Sequence, residues 1–394
     1  MLDNIERKTL KADIFRTLGE SFIIPMFESL ILLVAIRYFE ADDFQKSLVS
    51  SARFIGMFLS LLIFSFFSRY NIKKTVLLFF ITLTAAVFLL GSALAPSVWI
   101  FTVCMFLYTL LVDSRYPLVT ALYSENYKEE RRGKMVSVTF ILSSLMMLLI
   151  SYISSTVLGN DLGRFRIIFA VFSAMLMISA LLFRRIPSSP NAGRIKLREC
   201  FGLLIKYPKF TYILVVWSIF GIANIATFPL RIVYLAEKER GLGLDPGTVI
   251  ILTSIIPVIC RLASNYFWAI LFDRINVVIM RILLNLFIGG GIFLFFITSN
   301  LYVIALSVVI TYIGFGGTPI VWPLWVTKIA PVKRIPEFMA LHTFMTGIRG
   351  IIGPFAGFLY ISILPIKSAG ITAGLLFLVS ILMLVPLIKM KRLE

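Results

Sequence analysis

The sequence contains a series of long apolar runs, each about the length that a helix needs to cross a lipid bilayer. A transmembrane helix takes about 20 mostly apolar residues. The runs are too long and too uniformly apolar for membrane strands, in which lipid-facing and polar residues alternate. The sequence therefore predicts an all-α polytopic membrane protein with twelve transmembrane helices. Twelve runs can be placed, near residues 18–38, 48–68, 75–95, 98–121, 135–158, 165–183, 211–235, 248–271, 277–298, 301–327, 338–361 and 368–388.

Composition excludes an ordinary soluble protein. Of the 394 residues, 59% are hydrophobic and 15% are charged, whereas soluble domains are about 45–50% apolar and about 25% charged. Three distant cysteines (Cys104, Cys200, Cys260) and one histidine, His342, form no disulfide framework or metal motif. We therefore predict no metal or other cofactor. Residues 1–17 carry both charge signs without a cleavage pattern, so we expect no removable signal peptide.

The basic residues are concentrated in alternate loops. One set of loops, which includes both termini, carries 25 Lys and Arg residues, and the opposite set carries six. By the positive-inside rule, the richer loops face the cytoplasm. This asymmetry accounts for the net charge of +18 without a nucleic-acid partner. We expect a multi-pass protein of the plasma (inner) membrane with both termini in the cytoplasm.

The chain also shows signs of an internal duplication. The longest interior loop carries seven basic residues and is interpreted as a cytoplasmic linker, residues 184–209, between an N-terminal six-helix half, 1–183, and a C-terminal half, 210–394. At an offset near 205 residues, FSRYN at 67–71 matches FDRIN at 272–276. Matches at one offset in equivalent loops support duplication. Repeated six-helix halves are a transporter architecture with the substrate site at the repeat interface.

These features resemble the major facilitator superfamily. The hallmark of that family is a loop after the second span of the form G-x-x-x-D-R-x-G-R-R/K. The second half keeps its acid and base as Asp273 and Arg274, and the first half keeps Arg69, followed by Lys73 and Lys74. A G-x-x-G-x-x-G-P segment at 347–354 is also family-like. The resemblance implies alternating access, with gating loops around Arg69, Lys73, Asp273 and Arg274.

Ionisable residues inside the runs are the strongest functional signal, because each costs about 2.5–3.5 kcal/mol on insertion scales. Helical spacing places most of them on polar faces, since residues three or four apart share a face. Arg261 shares one with Ser264 and Trp268; Arg231 shares one with Trp217, Gly221 and Asn224; Arg349 shares one with His342 and Thr346. The candidates are Glu28, Arg53, Asp113, Arg115, Arg231, Arg261, Arg281 and Arg349.

Arginines outnumber carboxylates in these positions, which predicts an electropositive cavity. Guanidinium groups bind carboxylate or phosphate in a bidentate manner, so we expect an anionic or zwitterionic substrate. Glu28, in apolar surroundings at mid-span, is the first candidate for the proton carrier, and Asp113 is the second. The predicted substrate-binding residues are Arg261, Arg349, Arg231, Asn224 and Arg115.

Structural interpretations stay open beside these roles. Asp113 and Arg115 are two residues apart and point about 200° away from each other on a helix, so each needs a partner on another helix. A structural ion pair and a substrate contact are both possible for them. Glu28 could form a permanent salt bridge to an arginine. Arg281, at the start of its span, is expected at the membrane interface.

The sequence predicts a monomeric secondary active transporter that moves a small solute by alternating access, coupled to protons or to another ion. One alternative is an exporter of hydrophobic or cationic compounds, as in drug/proton antiporters. Another is a transporter-like receptor or scaffold without transport activity. An enzyme or an ATP-driven pump is not expected, because the chain has no phosphate-binding GxxxxGK[ST] loop.

Overall fold

A computed structural model of the protein describes residues 3–67, 70, 72–190, 197–331 and 334–389. Within these ranges the regular structure is helical, apart from one isolated bridge between Lys73 and Pro190. The α-helices are α1 Asn4–Gly19, α2 Ile23–Pro25, α3 Ile31–Arg37, α4 Asp43–Phe67, α5 Lys74–Ala93, α6 Val98–Ser114, α7 Tyr116–Asn126, α8 Glu129–Asn160, α9 Phe165–Phe183, α10 Leu197–Lys206, α11 Pro208–Ala236, α12 Pro246–Ile250, α13 Ile256–Arg274, α14 Val277–Ile297, α15 Leu301–Phe315, α16 Thr318–Ile329, α17 Ile335–Ile363 and α18 Ile366–Leu384.

Eleven helical segments within the described ranges are long and apolar enough to cross a membrane. The second predicted run, 48–68, falls on α4, which has 25 residues and is therefore about 38 Å long at about 1.5 Å per residue. The predicted number of twelve spans remains a prediction. The eleven segments are Asn4–Arg37, Lys74–Ala93, Val98–Asn126, Lys134–Asn160, Leu162–Phe183, Pro208–Ala236, Pro246–Arg274, Val277–Ile297, Leu301–Trp322, Phe338–Ile363 and Ile366–Leu387.

The first segment begins earlier than its apolar run. The run predicts a span from about residue 18, whereas α1 starts at Asn4. A reciprocal capping box fixes this start, because the Asp3 carboxylate accepts from the Glu6 amide at 2.8 Å and Glu6 accepts from the Asp3 amide at 3.2 Å. Such a box satisfies two amide groups that the first helical turn leaves free. Charged residues of the expected N-terminal tail therefore belong to the helix.

Two segments contain a π-helical turn. Met26–Leu30 separates α2 from α3, and Ile251–Ile255 separates α12 from α13. A proline adjoins each turn: Pro25 immediately before the first and Pro257 shortly after the second. Proline lacks the amide donor of an α-helical ladder, and π turns concentrate at functional sites. Glu28 lies within the first turn.

The chain forms two compact units. Unit 1 contains Met1–Ile195 together with Asp245–Ser254, and unit 2 contains Lys196–Leu244 together with Ile255–Glu394. The division of the chain into two repeated halves, 1–183 and 210–394, remains a prediction from the sequence.

Unit 1 is built on close helix contacts. Its α5 packs against α9, and its α4 packs against α6. At the second contact, a Cβ atom on Gly56 would lie 2.3 Å from the Leu110 carbonyl oxygen. The α4 and α6 backbones therefore approach each other because position 56 has no side chain, as is common between membrane helices.

Unit 2 has a large aromatic core. Buried side chains of α11, α13, α14, α16 and α17 form one cluster that includes Phe210, Trp217, Trp268, Trp325 and Phe338. Trp217 and Trp325 are central to it, with ring centroids 4.4 Å apart. The Trp268 indole nitrogen donates to the Ile313 carbonyl at 2.6 Å, so this ring also ties α13 to α15.

Gly56→Ala is expected to destabilise unit 1, because the added methyl group collides with the α6 backbone, which cannot move aside like a side chain. Overpacking of this kind costs about 1–3 kcal/mol. The measurement is the thermal unfolding temperature of the protein in detergent. Gly290→Ala is the matched control, since nothing lies within 4 Å of its added Cβ. An equal unfolding temperature for Gly56→Ala and the parent would contradict the proposed contact.

Candidate functional site

Arg115 is a buried charge of unit 1 with several hydrogen-bond partners. It lies at the junction of α6 and α7, and its Nη1 and Nη2 donate to the Glu20 carboxylate at 2.9 and 3.3 Å. Nη1 also donates to the Thr82 hydroxyl at 2.8 Å, and Nε donates to the Val112 carbonyl at 3.1 Å. All three guanidinium nitrogens are therefore used inside unit 1. The predicted substrate role of Arg115 remains untested, and these contacts are those of the structural ion pair that the sequence left open.

Glu20 connects Arg115 to a second buried pair. Arg16 donates to Glu20 at 2.8 Å, and the Ser179 hydroxyl donates to Glu20 at 2.5 Å. Arg16 also contacts Asp13 at 2.5 Å. Two carboxylates and two guanidinium groups thus neutralise one another. Sequence reasoning missed this network because it placed the first span after residue 17, although the i, i+3 and i, i+4 spacing of Asp13, Arg16 and Glu20 was a visible helical signal.

Asp113 has a different partner. Arg53 of α4 donates to it from Nε at 3.1 Å, and the Arg53 guanidinium lies 4.7 Å from the Phe27 ring centroid. These residues line a small cleft together with Ile23 and Tyr108. The expectation that Asp113 and Arg115 bind partners on other helices, rather than each other, is confirmed. The Arg53 side chain is 34% exposed, so this pair is more open than the Glu20 network.

Glu28 is buried in the π turn of the first segment. Its neighbour in the chain, Ser29, has its hydroxyl oxygen 2.7 Å from that of Thr253, which also lies in a π turn. Glu28, Ser29 and Thr253 all belong to unit 1. The two π turns thus contact each other through a hydroxyl pair one residue away from the buried Glu28.

In unit 2, Arg349 is anchored on α11. Its Nη1 donates to the Trp217 carbonyl at 2.7 Å, and its Nη2 donates to the Thr346 hydroxyl at 2.8 Å. A Cβ atom on Gly221 would lie 2.6 Å from the Arg349 side chain, so a larger residue at 221 would displace the end of that side chain. Arg349 is 7% exposed, and its Nε has no hydrogen-bond partner among the described residues.

Arg281, which its position near the start of a span predicts to lie at the membrane interface, is buried against a neighbouring helix, and its depth in the membrane remains a prediction. It is only 6% exposed, because the neighbouring helix α11 covers it. Its guanidinium carbon lies 4.2 Å from the Trp217 ring centroid and 4.4 Å from that of Phe220. It forms no hydrogen bond or ion pair with another described residue. It is also close enough to Arg349 for the two charges to repel.

His342 lies in an aromatic box and is fully buried. The centroid of its ring is 5.1 Å from that of Trp217, 5.3 Å from that of Trp322 and 5.2 Å from that of Trp325. Neither ring nitrogen has a hydrogen-bond partner in the described part of the chain, and the same holds for the indole nitrogen of Trp325. A lone histidine gave little functional signal in the sequence.

Two of the remaining predicted substrate residues, Arg231 and Arg261, lie near Tyr312. The guanidinium carbons of Arg231 and Arg261 lie 6.0 and 5.4 Å from its ring centroid. Arg231 is buried, and Arg261 is half-buried. Asn224, two helical turns before Arg231 on α11, has a buried Oδ1 with no hydrogen-bond partner among described residues. Unit 2 therefore collects four of the five predicted substrate residues.

The predicted gating loops are only partly visible. Arg69 lies outside the described residues. Lys73 is the N-cap residue of α5, whereas its neighbour Lys74 is buried and binds Glu125 at 2.9 Å. Asp273 and Arg274 are exposed at the end of α13, and neither forms an ion pair with another described residue. Their gating role remains a prediction.

Comparison with protein families gives one match that covers most of the chain. The model of the Major Facilitator Superfamily matches residues 14–325. A putative metabolite transport protein, YncC, of Bacillus subtilis (strain 168) is 30% identical over 157 residues, which is 37% of this chain. That match spans 31% of the length of YncC.

Solved structures share the fold over nearly the whole chain. A nucleoside transporter, NupG, superposes with a TM-score of 0.75 at 12% identity and covers 99% of this chain and 100% of its own. A D-xylose–proton symporter gives 0.69 at 16% identity, with 99% of each chain covered. A POT family transporter in complex with 5-aminolevulinic acid gives 0.73 at 14% identity, with 96% of each covered. At these identities the likeness concerns the fold alone.

Glu20→Gln is expected to destabilise the protein strongly, because it leaves two buried guanidinium groups facing a single carboxylate. Breaking a buried ion pair costs about 3–5 kcal/mol, and the thermal unfolding temperature in detergent reports it. Adding Arg115→Met to Glu20→Gln should recover part of the loss. The control is Asp161→Asn, because Asp161 and Arg164 form an exposed pair that is worth less than about 1 kcal/mol. Equal effects of Glu20→Gln and Asp161→Asn would contradict the network.

Proposed function

The chain belongs to the Major Facilitator Superfamily, and from this premise we propose that it moves a small anionic or zwitterionic solute by alternating access, coupled to protons. The family makes the protein a membrane transporter and not an enzyme. The chemistry of the solute, its coupling and the residues that bind it are inferred from the buried charges.

The observation that carries the anionic assignment is the pair Arg281 and Arg349. In unit 1, the buried cations Arg16 and Arg115 are matched by carboxylates. In unit 2, Arg281 and Arg349 are equally buried, yet neither forms an ion pair with a carboxylate among the described residues. A buried charge without a counter-charge costs several kcal/mol. An anionic solute would supply that counter-charge.

The proposed substrate residues fall into two groups. Arg349 presents its Nε beside Gly221, while its other two nitrogens hold it to α11 and to Thr346. Arg231 and Arg261 share the Tyr312 ring. Planar guanidinium groups held by stacking lose little freedom when they bind a carboxylate or phosphate. We assign substrate binding first to Arg261 and Arg349, then to Arg231 and Asn224, and last to Arg115.

Glu28 is the proposed proton carrier. It is a buried carboxyl group in a π turn, and π turns concentrate at functional sites. Asp113, which accepts a hydrogen bond from Arg53, is the second candidate. A permanent salt bridge from Glu28 to an arginine is the competing interpretation. It predicts that neutralising Glu28 lowers stability rather than coupling.

Transport in proteoliposomes tests the anionic assignment. The substrate is sought by counterflow with organic anions, phosphate esters, neutral sugars and lipophilic cations. Arg349→Gln should weaken the apparent affinity for the active anion about tenfold to a hundredfold, since a hydrogen bond to a charged group contributes about 1.5–3 kcal/mol. Lys209→Gln removes one exposed charge of the same unit and should behave as the parent. Flux of lipophilic cations alone, unchanged in Arg349→Gln, would overturn the assignment in favour of an exporter of cations.

Glu28→Gln tests the coupling. It should abolish accumulation driven by a pH gradient and leave counterflow intact, because exchange needs no net proton movement. Asp113→Asn is the comparison and should keep gradient-driven accumulation. If Glu28→Gln unfolds at a lower temperature and loses both activities, the salt-bridge interpretation replaces the proton-carrier role. Correctly folded protein without flux of any compound would instead support a receptor or scaffold.

A further inference from the structure

We propose that Arg281, Arg349, His342 and Trp325 form a binding site in unit 2 for a dianionic phosphate group. Its source is inorganic phosphate or the terminal phosphate of a monoester. The inference rests on the proposed function, which it deepens by naming the class of anion and by adding three residues to Arg349.

The four residues surround one ring, that of Trp217. Arg281 stacks on it at 4.2 Å, and Arg349 donates to the backbone carbonyl of the same residue at 2.7 Å. The rings of His342 and Trp325 lie 5.1 and 4.4 Å from it, centroid to centroid. Helices α14 and α17 and the segment α16 thus place these four side chains around Trp217.

The atoms left without partners in this cluster are almost all donors. Nε of Arg281, Nε of Arg349 and Nε1 of Trp325 carry N–H groups with no hydrogen-bond partner among the described residues. The neutral imidazole of His342 adds one donor and one acceptor, and neither nitrogen is partnered there. Leaving a buried donor without a hydrogen-bond partner is unfavourable. A ligand that brings several acceptors would satisfy them, whereas a cation would add repulsion.

The charge of the site determines which of the ligands that bring hydrogen-bond acceptors fits best. The two guanidinium groups are permanently protonated, and no carboxylate of the described residues pairs with them. Two positive charges are balanced by one dianion. A phosphate monoester carries about −1.5 to −2 charges at pH 7 and three strong acceptor oxygens. A monocarboxylate offers one charge and two oxygens, which leaves one arginine uncompensated.

The surroundings strengthen such binding. The Phe220 ring centroid also lies 4.4 Å from the Arg281 guanidinium carbon, and the large aromatic core of unit 2 encloses Trp217 and Trp325. Charge–charge attraction is stronger in an apolar environment than in water. The aromatic rings attract the Arg281 charge and leave its Nε without a hydrogen-bond partner among the described residues.

The test is ligand-dependent thermal stability of the purified, full-length protein in detergent. A ligand that binds only the folded state raises the unfolding temperature. Inorganic phosphate and sulfate should raise that of the parent, and acetate at the same ionic strength should not. Arg281→Met should unfold at a higher temperature than the parent without ligand, because it replaces an unpaired buried cation by an apolar side chain of similar length. It should lose the response to phosphate.

Two further variants separate binding from folding. His342→Phe keeps an aromatic ring in the box and removes the donor, so it should weaken phosphate binding about tenfold to a hundredfold without losing stability. Lys209→Gln, which removes an exposed charge from the same unit, should respond to phosphate as the parent does. Equal phosphate responses in the parent and Arg281→Met would overturn the site. A lower unfolding temperature of ligand-free Arg281→Met would also overturn it, since it would make Arg281 a structural residue.

A parallel experiment with lipids distinguishes a lipid headgroup from free phosphate as the source of the phosphate group. Nanodiscs that contain phosphatidic acid present a phosphate monoester on a lipid, and phosphatidylcholine nanodiscs are the control. Stabilisation by phosphatidic acid with none by inorganic phosphate supports the chemistry and assigns it to a headgroup. If acetate raises the unfolding temperature as much as phosphate does, the assignment of a dianionic ligand is overturned.

Failure of this site and failure of the proposed function are separable. If Arg281→Met still carries out counterflow of an anion, the proposal of anion transport stands and the proposed phosphate site is rejected. If phosphate binding depends on Arg281 but no compound is transported, the proposed site stands and the proposed transport function is rejected.

Discussion

The cost of a charge in an apolar interior governs the arrangement of this protein. Each ionisable side chain inside a membrane span needs a counter-charge, water or a ligand. Unit 1 uses counter-charges: Glu20 lies between Arg16 and Arg115, and Asp113 faces Arg53. Unit 2 holds Arg281 and Arg349 against aromatic rings and main-chain carbonyls. Aromatic faces and carbonyl oxygens attract a guanidinium group but do not cancel its charge, so the two units differ in what they leave unsatisfied.

The backbone follows the same constraint. Helices satisfy their own amide and carbonyl groups, which is why they can cross a bilayer, and departures from the helix therefore need a local reason. Two of them coincide with charged residues: Glu28 lies in a π turn, and Arg115 lies at the break between α6 and α7. At the break, Arg115 itself donates to the Val112 carbonyl. The side chain thus gives a second donor to a carbonyl that the Arg115 amide also contacts, at 3.4 Å.

Apolar runs and helical spacing predicted much of the fold but less of the site. The helical class, most span positions and the separate partners of Asp113 and Arg115 followed from period and length alone. The Glu20 network did not, because a hydropathy reading assigns the charged stretch before residue 18 to water, whereas ion pairing between helices lets it enter the bundle. The burial of Arg281 did not follow from the sequence for a related reason. Its distance from a span end is a property of one helix, and its burial depends on the position of Trp217 and Phe220 on another.

The contrast between the units bears on how a ligand acts. Removing one member of a neutral, hydrogen-bonded network weakens the fold whether or not a solute is present. A cluster of unmatched donors and cations behaves differently, because a bound anion would remove its cost. The proposed anion would relieve the repulsion between Arg281 and Arg349 and satisfy buried donors, so the free energy of its binding would include strain removed from the protein. Such a ligand would stabilise unit 2 more than its own contacts suggest, whereas the buried Arg16 and Arg115 of unit 1 already have counter-charges. The stability of unit 2 is therefore the property that should depend most on the solute.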